Sequence, residues 1–360
     1  MLFLLKRIKR IPIYCVWEIT NACNLRCVHC ESSSGKPRKD ELTTEEALSL
    51  CNDLKEIGTR KINLSGGEPL VRKDWKIIAS RLKELGLEVN LITNGLLFNK
   101  EIVQFCLDIN IDWISISIDG MPETHDSIRL FPGKRKDMSP FRSAYQALVL
   151  SKSSGLKTSV ITHINGRNLN ELNELHELLS IIPIDGWQLQ LGTPQGRMKN
   201  TEENYLISPS KLPYIAEFIM HKQLRPFKIV STDDIGYYTE YEPYLRDSGK
   251  DYIPYWVGCY AGILGIAIES NGDVKGCPSM PSWMNEGNIR KRKLKDIWED
   301  DNLFAYNRKW NGKYLKGFCR KCEFRRICRA GCKSFALAST GSIYENKHCL
   351  YRVQALGLKD

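Results

Sequence analysis

The segment Cys23-Asn24-Leu25-Arg26-Cys27-Val28-His29-Cys30 carries three cysteines in a C-x3-C-x2-C pattern, directly after an apolar run that is typical of a strand. Three thiolates on one loop can hold three irons of a [4Fe–4S] cube, and the missing fourth ligand leaves one iron open to an exogenous group. Buried core cysteines and a zinc knuckle are the alternatives. A structural zinc site normally has four protein ligands, however, and no fourth is evident nearby.

The sequence around this segment alternates short β-branched or apolar runs with longer amphipathic stretches. This alternation is typical of βα units around a parallel sheet. The clearest helix start is at Thr43, which has capping-box spacing with Glu46. The candidate strands span residues 13–19, 61–64, 88–92, 113–118, 158–164 and 186–191.

Six such units are fewer than the eight of a closed barrel. We therefore predict an α/β fold in which residues 12–224 form a partial (β/α)6 barrel that is open to a large substrate on one side. Chemistry is expected at the carboxyl ends of the strands.

The helical period fades after this region, and the chain becomes rich in Gly, Pro and Cys. Residues 225–257 are predicted to connect the barrel to a small Cys-rich α+β domain over residues 258–360. Within that domain, Ser270-Asn271-Gly272 separates two alternating runs, and Asn-Gly in this setting favours a β-hairpin.

Length and composition agree with a two-domain globular protein, with 360 residues of which 42% are hydrophobic and 26% charged. No apolar run approaches the roughly 18 residues of a membrane span, and the apolar start is too short for a signal peptide. We therefore expect a cytoplasmic protein without a membrane partner. Thirteen cysteines in tight local clusters then favour metal binding over disulfides.

The formal net charge of +10 is concentrated late in the chain, at residues 290–293 and 320–333. These basic residues interleave with cysteines whose thiolates would compensate part of the charge, so we do not expect a nucleic-acid partner. An acidic flavodoxin or ferredoxin that delivers electrons would suit the same surface. A solvated basic face is the simpler alternative.

The cysteine triplet, the βα alternation and Gly66-Gly67-Glu68-Pro69 after the second strand together resemble the radical S-adenosylmethionine (SAM) superfamily. The resemblance implies that SAM binds the open iron and is cleaved reductively to methionine and a 5'-deoxyadenosyl radical. It also implies that the glycines bring the backbone close to SAM and that Glu68 holds the SAM ammonium.

Further SAM contacts are implied at the ends of later strands. Thr93-Asn94-Gly95 ends the third strand, and Ser117 and Asp119 end the fourth. A turn or helix-cap role is an equal alternative for Asn94 and Asp119. The remaining candidates are His29, where the family often has an aromatic residue near the adenine, and Gln188 and Gln190, which alternate with apolar residues on the sixth strand.

The carboxy-terminal cysteines resemble the SPASM extension of radical SAM enzymes over residues 258–352. The resemblance implies two auxiliary [4Fe–4S] clusters and thus three clusters in all. One would be held by Cys319, Cys322, Cys328 and Cys349, and the other by Cys259, Cys277 and Cys332 with a fourth ligand missing. Paired zinc ribbons would leave three of these cysteines unexplained. Cys15, Cys51 and Cys106 lie among apolar residues and are interpreted as core.

The resemblance makes an oxidative maturase our leading hypothesis, one that cross-links or dehydrogenates a ribosomally made peptide with a leader. About eleven residues precede the first strand, so we expect leader recognition by the barrel opening, the connecting region or a partner. Side-chain oxidation of the sulfatase-maturase type is an alternative. The family's base after the hairpin cysteine is replaced by Pro278 here, which leaves Asp233 and Asp234 as candidate catalytic bases, with loop capping as their other interpretation.

Two further alternatives remain for the function. One is modification of a tetrapyrrole or another small cofactor, which a large apolar cavity would favour. The other, from a different class, is an iron–sulfur electron carrier, which would give no role to Gly66-Gly67-Glu68-Pro69.

Overall fold

A computed structural model describes residues 10–133, 138–200, 205–222, 226–232, 234–246 and 255–359. Its centre is a single ten-stranded sheet whose strands lie in the order β10-β9-β8-β1-β2-β3-β4-β5-β6-β7. The strands are β1 (Tyr14–Thr20), β2 (Lys61–Gly66), β3 (Glu88–Thr93), β4 (Trp113–Ser117), β5 (Thr158–Ile164), β6 (Gly186–Leu191), β7 (Lys228–Ser231), β8 (Gly265–Ile268), β9 (Asp273–Lys275) and β10 (Gly287–Asn288).

Strands β1 to β7 pair in parallel in chain order, as βα units require. The helices that connect them are α1 (Thr44–Glu56), α2 (Trp75–Glu84), α3 (Lys100–Asp108), α4 (Pro122–Ile128), α5 (Pro140–Ser153), α6 (Leu172–Ser180) and α7 (Leu212–Lys222). The α/β partial-barrel fold predicted from the sequence is confirmed. All six predicted strands are present, and β7 adds a seventh beyond the predicted six, inside the segment we expected to be a connection.

The start of α1 shows how local sequence sets these elements. The Thr43 hydroxyl accepts a hydrogen bond from the Glu46 amide (3.2 Å), and the Glu46 carboxylate accepts one from the Thr43 amide (2.9 Å). This reciprocal capping box satisfies backbone donors that the first helical turn leaves free. The apolar face of α1 then packs on the sheet through Ala47, Leu50 and Leu54, which are fully buried.

The carboxy-terminal region joins the sheet through its hairpin. Strand β8 pairs in parallel with β1, while β9 and β10 follow in antiparallel order. Short helices complete this region: α8 (Glu242–Leu245) precedes the hairpin, and α9 (Leu294–Glu299), α10 (Ala305–Arg308), α11 (Gly317–Lys321), α12 (Arg325–Cys328), α13 (Lys333–Thr340) and α14 (Leu350–Ala355) follow it. No described helix is both long and apolar enough to cross a membrane.

Polar contacts lock the hairpin against the barrel where β1 ends. The Arg38 guanidinium donates to the Glu18 carboxylate (2.9 Å), which also accepts a hydrogen bond from the Ser270 hydroxyl (2.8 Å). The Leu42 amide donates to the Ser270 carbonyl (2.7 Å). Because these groups are partly buried, the contacts fix the tip of the hairpin beside the loop that carries the first cysteines.

Candidate active site

The amino-terminal cysteines lie on the loop between β1 and α1, at the carboxyl edge of the sheet. Cys23, Cys27 and Cys30 all line one cavity of about 410 Å³. Arg197 holds this loop from the far side of the barrel: its Nε donates to the Cys27 carbonyl (2.7 Å), its Nη1 to the Ser34 carbonyl (2.8 Å), and its amide to the Cys30 carbonyl (3.1 Å). The loop is therefore clamped by barrel residues that lie far away in sequence.

The donor set of the loop suits a cluster better than a single ion. Burial raises the pKa of Cys23 to about 12 and that of Cys27 to about 11, so both thiols keep their protons until a metal displaces them. Among the described residues, no three His, Cys, Asp or Glu side chains converge on one metal ion. In a [4Fe–4S] cube each thiolate binds a different iron, so convergence on a single point is not required.

The segment Gly66-Gly67-Glu68-Pro69 crosses directly beneath the cysteine loop. A Cβ added at Gly66 would overlap the Thr20 carbonyl, and one added at Gly67 would overlap the Ala22 carbonyl. The amides of Gly67 and Glu68 donate to these same two carbonyls, at 2.8 and 2.9 Å. Only glycine permits this close approach, which places the Glu68 side chain in the cavity wall.

Glu68 is a buried carboxylate with a fixed orientation. It accepts hydrogen bonds from the Asn94 amide (2.7 Å), the Thr93 hydroxyl (2.8 Å) and the Leu70 amide (3.2 Å). Burial raises the pKa of Glu68 to about 7, because desolvation outweighs these donors. A cationic partner would therefore stabilise the charged form considerably. Pro69 begins a short 3-10 turn and does not line the cavity.

Alternate residues of the strands form the cavity wall. Asn63 and Ser65 of β2, Asn90 and Ile92 of β3, Ile161 and His163 of β5, and Gln188 and Gln190 of β6 all face it. The residues that alternate with Gln188 and Gln190 point into the core, since Trp187 and Leu189 are fully buried. Among the other predicted SAM contacts, His29, Asn94 and Ser117 also line the cavity.

Asp119 lies behind the wall rather than in it. Its carboxylate is fully buried, pairs with Arg129 Nε (2.6 Å) and accepts the His163 amide (2.9 Å). Burial acts to raise the pKa of Asp119, but the Arg129 guanidinium and the nearby histidines lower it more, so the net pKa is below its ordinary value. Asp119 therefore holds Arg129 and His163 in position at the cavity.

Several cavity residues were not indicated by the sequence analysis, and three of them carry ionisable side chains that bear on the chemistry: Arg129, His163 and Arg197. The His163 ring stacks on the His29 ring with centroids 4.2 Å apart, and burial lowers the pKa of His163 to about 4, so the pair is neutral at physiological pH. His163 lies on a correctly predicted strand at an inward-facing position, and this alternation was the available signal. Arg129 and Arg197 lie in no motif, and no sequence signal indicated them.

Asp234, one of the two candidate bases, does not line the cavity. Asp234 is buried and accepts the Leu191 amide (3.0 Å) and the Thr232 hydroxyl (2.5 Å), which caps the end of β6. It is absent from the residues that line the cavity. Asp233 lies outside the described residues. The hydrogen bonds of Asp234 thus match its loop-capping interpretation.

Four carboxy-terminal cysteines come together in a second, much smaller cavity of about 20 Å³. These are Cys319, Cys322, Cys328 and Cys349, the set that the family resemblance assigns to one auxiliary cluster. Aromatic rings surround them, and Tyr238 stacks on Phe324 with a centroid distance of 4.3 Å. Burial raises the pKa of Cys349 to about 11, so this thiol also keeps its proton until metal binds.

The other three carboxy-terminal cysteines, Cys259, Cys277 and Cys332, line neither of these two cavities. Burial is the main effect that raises the pKa of Cys332, and negative charges on Cys259 and Cys277 would raise it further. These electrostatic effects indicate that the three thiols are close neighbours. Pro278 and Ser279, which follow Cys277, line the large cavity beside the amino-terminal cysteines. The Lys275 ammonium fixes this turn by donating to the carbonyls of Pro278 (3.1 Å) and Met280 (2.7 Å).

Lys333 lies among the carboxy-terminal cysteines and is fully buried. Its ammonium donates to the carbonyls of Arg329 and Ile343, the latter at 3.0 Å. Burial lowers the pKa of Lys333 to about 8, while the nearby thiols of Cys259, Cys328 and Cys319 act to raise it. No ion pair with a carboxylate accompanies Lys333 within the described parts of the chain.

The remaining cysteines, Cys15, Cys51 and Cys106, are fully buried in the hydrophobic core, as expected. The sequence also matches two family models. Residues 17–179 match the radical SAM superfamily, and residues 259–323 match an iron–sulfur cluster-binding domain, SPASM.

Similar proteins cover nearly the whole chain. An AdoMet-dependent heme synthase of Methanosarcina barkeri is 31% identical over 352 residues, covering 95% of this chain and 97% of that protein. An Fe-coproporphyrin III synthase of the same organism is 27% identical and covers 93% and 87%. The mycofactocin maturase MftC of Mycobacterium tuberculosis is 29% identical and covers 89% and 78%.

The fold is also that of a solved structure, Streptococcus suis SuiB bound to its precursor peptide SuiA. The TM-score is 0.72 at 17% identity, over 94% of this chain and 76% of the SuiB chain. The protein thus binds SAM and a [4Fe–4S] cluster in its first domain and auxiliary iron–sulfur clusters in its second. The chain belongs to the radical SAM superfamily, as an enzyme with a SPASM domain.

Proposed function

We propose that this enzyme cleaves SAM at a cluster held by Cys23, Cys27 and Cys30 and oxidises its substrate with the help of auxiliary clusters held by the seven carboxy-terminal cysteines. The observation that carries the proposal is the large cavity, which joins the three cysteines to Glu68. When bound there, the cluster and SAM supply a 5'-deoxyadenosyl radical, which can abstract hydrogen from unactivated carbon.

The protein's own part is to bind and orient SAM. The fixed carboxylate of Glu68 would hold the SAM ammonium, and its pKa of about 7 means that this cation would favour the charged form. Arg129 faces the same cavity as a buried guanidinium held by Asp119, and its charge suits the SAM carboxylate. The neutral His29–His163 stack would offer a flat surface to the adenine.

The position of the hairpin supports an oxidative outcome. Because Pro278 and Ser279 line the large cavity, the cluster assigned to Cys259, Cys277 and Cys332 would border the substrate. A substrate carbon that has lost a hydrogen atom to the 5'-deoxyadenosyl radical would be left as a radical with one unpaired electron. That electron would pass to the neighbouring auxiliary cluster, which makes a net two-electron oxidation.

For the substrate, a carboxyl-bearing tetrapyrrole is our first candidate. The chain aligns with 97% of the AdoMet-dependent heme synthase, whereas it covers 78% of the mycofactocin maturase. Because this match extends along almost the full length, we rank a tetrapyrrole before the peptide that the sequence alone put first. Most residues that line the cavity have polar side chains, so the cavity is not the large apolar one that would also have favoured a tetrapyrrole.

A peptide substrate is the second candidate. It is supported by the similarity to the mycofactocin maturase and by the fold shared with peptide-bound SuiB, which extends over 94% of this chain. The partial barrel would admit either substrate from its open side, where β7 forms the sheet edge.

The test begins with SAM cleavage. We would reconstitute the protein anaerobically, reduce it with dithionite, add SAM and quantify 5'-deoxyadenosine by mass spectrometry. We expect production by the wild type and none by a Cys23/Cys27/Cys30 triple-alanine variant. Glu68→Gln should keep its iron but bind SAM about 100-fold more weakly, because one charged hydrogen bond is lost. An iron-loaded wild type that makes no 5'-deoxyadenosine would contradict the enzymatic proposal and favour an electron carrier.

To identify the substrate class, we would compare iron coproporphyrin III with the SuiA peptide in the same 5'-deoxyadenosine assay. Faster 5'-deoxyadenosine production together with a mass change in the tetrapyrrole would support the first candidate. Stimulation by the peptide alone would support the second.

A further inference from the structure

The Tyr306 hydroxyl on α10 is buried and has no hydrogen-bond partner among the described residues, although the ring as a whole is only partly buried. A hydroxyl withdrawn from water without a partner is energetically unfavourable in proteins, so such groups are rare and call for an explanation. The aromatic ring alone would fill the same space if the residue were phenylalanine.

The hydroxyl is directed at the end of the hairpin that carries Cys277. A Cβ added at Gly276, the preceding residue, would overlap the Tyr306 hydroxyl oxygen. The oxygen therefore occupies the space that any other residue at position 276 would need. The hydroxyl oxygen therefore lies against the backbone immediately before Cys277, one of the three cysteines assigned to the cluster that lacks a fourth ligand.

The surroundings keep this hydroxyl protonated. Burial raises the pKa of Tyr306 well above its ordinary value, and charges on Cys259 and Cys277 would raise it further. A protonated phenol near sulfur is a hydrogen-bond donor rather than an anionic ligand. The other buried tyrosine beside this set, Tyr237, already accepts a hydrogen bond from the Cys332 amide (2.8 Å).

We propose that the Tyr306 hydroxyl donates a hydrogen bond to a sulfur of the auxiliary cluster held by Cys259, Cys277 and Cys332. The inference rests on the proposed function, which places a cluster there, and it gives the unpartnered hydroxyl its acceptor. Hydrogen bonds to sulfur stabilise the more negative, reduced state of a cluster. Tyr306 thus raises the reduction potential of the cluster that borders the substrate, as a positioning residue and not a catalytic one.

The test is Tyr306→Phe, which removes only the hydroxyl. We would measure iron content and, by EPR-monitored redox titration, the midpoint potential of each cluster. We expect unchanged iron and a more negative midpoint for one cluster, with the other two unmoved. In samples exchanged into deuterated buffer, a deuteron coupled to that cluster should be present in the wild type and absent from the variant.

Tyr314→Phe is the matched control, because Tyr314 belongs to the same region but is 49% exposed. It should leave every midpoint in place.

The other outcomes are distinguishable. An unchanged midpoint in Tyr306→Phe would overturn the inference while leaving the proposed function intact. Loss of cluster iron, or conversion to a [3Fe–4S] form, would also overturn it by indicating that Tyr306 is a ligand. A fully reconstituted wild type without any auxiliary-cluster signal would contradict the proposed function itself.

Discussion

The two cysteine-lined cavities of the protein differ in size and in lining. Cys23, Cys27 and Cys30 face about 410 Å³ bordered by carboxylate, guanidinium, amide and imidazole groups. Cys319, Cys322, Cys328 and Cys349 face about 20 Å³ bordered largely by aromatic rings. The first space can admit a co-substrate beside its thiols, and the second can admit little beyond the metal that the thiols bind.

This difference indicates how one chain can separate a site for reaction with substrates from a site that only holds electrons. A large cavity with polar groups leaves room for substrates beside a metal centre, whereas a small apolar cavity leaves little room for solutes while still permitting electron transfer. The third set, Cys259, Cys277 and Cys332, lies between these extremes, because the turn after Cys277 lines the open cavity.

The largest expected effect comes from removing one cysteine from each cavity. Cys27 and Cys328 are similarly buried, at 8% and 9% exposure, so the two alanine variants are a matched pair. We expect Cys27→Ala to abolish both 5'-deoxyadenosine production and product. Cys328→Ala should lose the iron of one cluster and all substrate oxidation, yet still cleave SAM. Loss of SAM cleavage in both variants would show that SAM cleavage and substrate oxidation are not assigned to separate cavities.

The second largest effect is expected from the ion pair between Arg129 and Asp119, beside the large cavity. Arg129→Met leaves the Asp119 carboxylate buried without its partner, which should reduce the free energy of unfolding by about 3–5 kcal/mol. The double variant with Asp119→Asn should recover part of this loss because the buried charge is gone. Denaturant unfolding of the reconstituted protein measures both effects. Arg142→Met, at an exposed site on α5, serves as the control. A loss below about 1 kcal/mol in Arg129→Met would argue against this pairing.

A smaller effect is expected from pH. His125 is fully buried, its Nδ1 accepts the Asp119 amide (3.0 Å), and burial lowers the pKa of His125 from 6.5 to about 3. Below about pH 6.5 the unfolded chain binds a proton that the folded chain does not, so stability falls as the pH falls.

The expected loss is about 1–2 kcal/mol between about pH 6.5 and about pH 5. Unfolding at a series of pH values would measure it. His125→Asn keeps an acceptor for the Asp119 amide and should reduce the pH dependence by this amount, whereas His221→Asn at an exposed site should not. The buried His29 and His163, whose pKa values are also lowered, would account for the dependence that remains. Equal slopes for the wild type and His125→Asn would exclude His125 as the source.

The smallest effect concerns the surface contact between the two regions. Arg290 donates to both carboxylate oxygens of Glu46 (2.6 Å each), and both side chains are about one-third exposed. Because solvent screens the pair, Arg290→Lys should cost about 0.5 kcal/mol through loss of the two-point contact. Thermal unfolding would show this as a small shift. A large shift would mean that this contact, and not the sheet, holds the regions together.

Local patterns in the sequence predicted most of the framework. Strands β5 and β6 have the bounds expected from alternation, and the capping box at Thr43 forms as its spacing indicates. The hairpin was also predicted, but its parallel pairing with β1 was not, because that contact joins residues about 250 positions apart, as Tyr14 with Gly265. The pairing depends on tertiary packing that no local pattern encodes.

The same distinction applies to the site. The cysteines and Glu68 lie in motifs with fixed spacing, so sequence could indicate them. Arg129 and Arg197 reach the cavity from α4 and from a 3-10 turn after β6, and only the assembled barrel brings them to the cysteine loop. Asp119 was predicted at the correct edge of the sheet, but its role in holding Arg129 follows from burial that the sequence does not reveal.

The buried ammonium of Lys333 has a consequence for the life of the protein in the cell. Its described hydrogen-bond acceptors are backbone carbonyls, and the charges that best neutralise it are thiolates and the clusters they would hold. A newly made chain must therefore bury an uncompensated cation until iron arrives. Folding of this region and iron binding are therefore coupled, because the metal-bound thiolates supply the negative charge that the buried ammonium lacks.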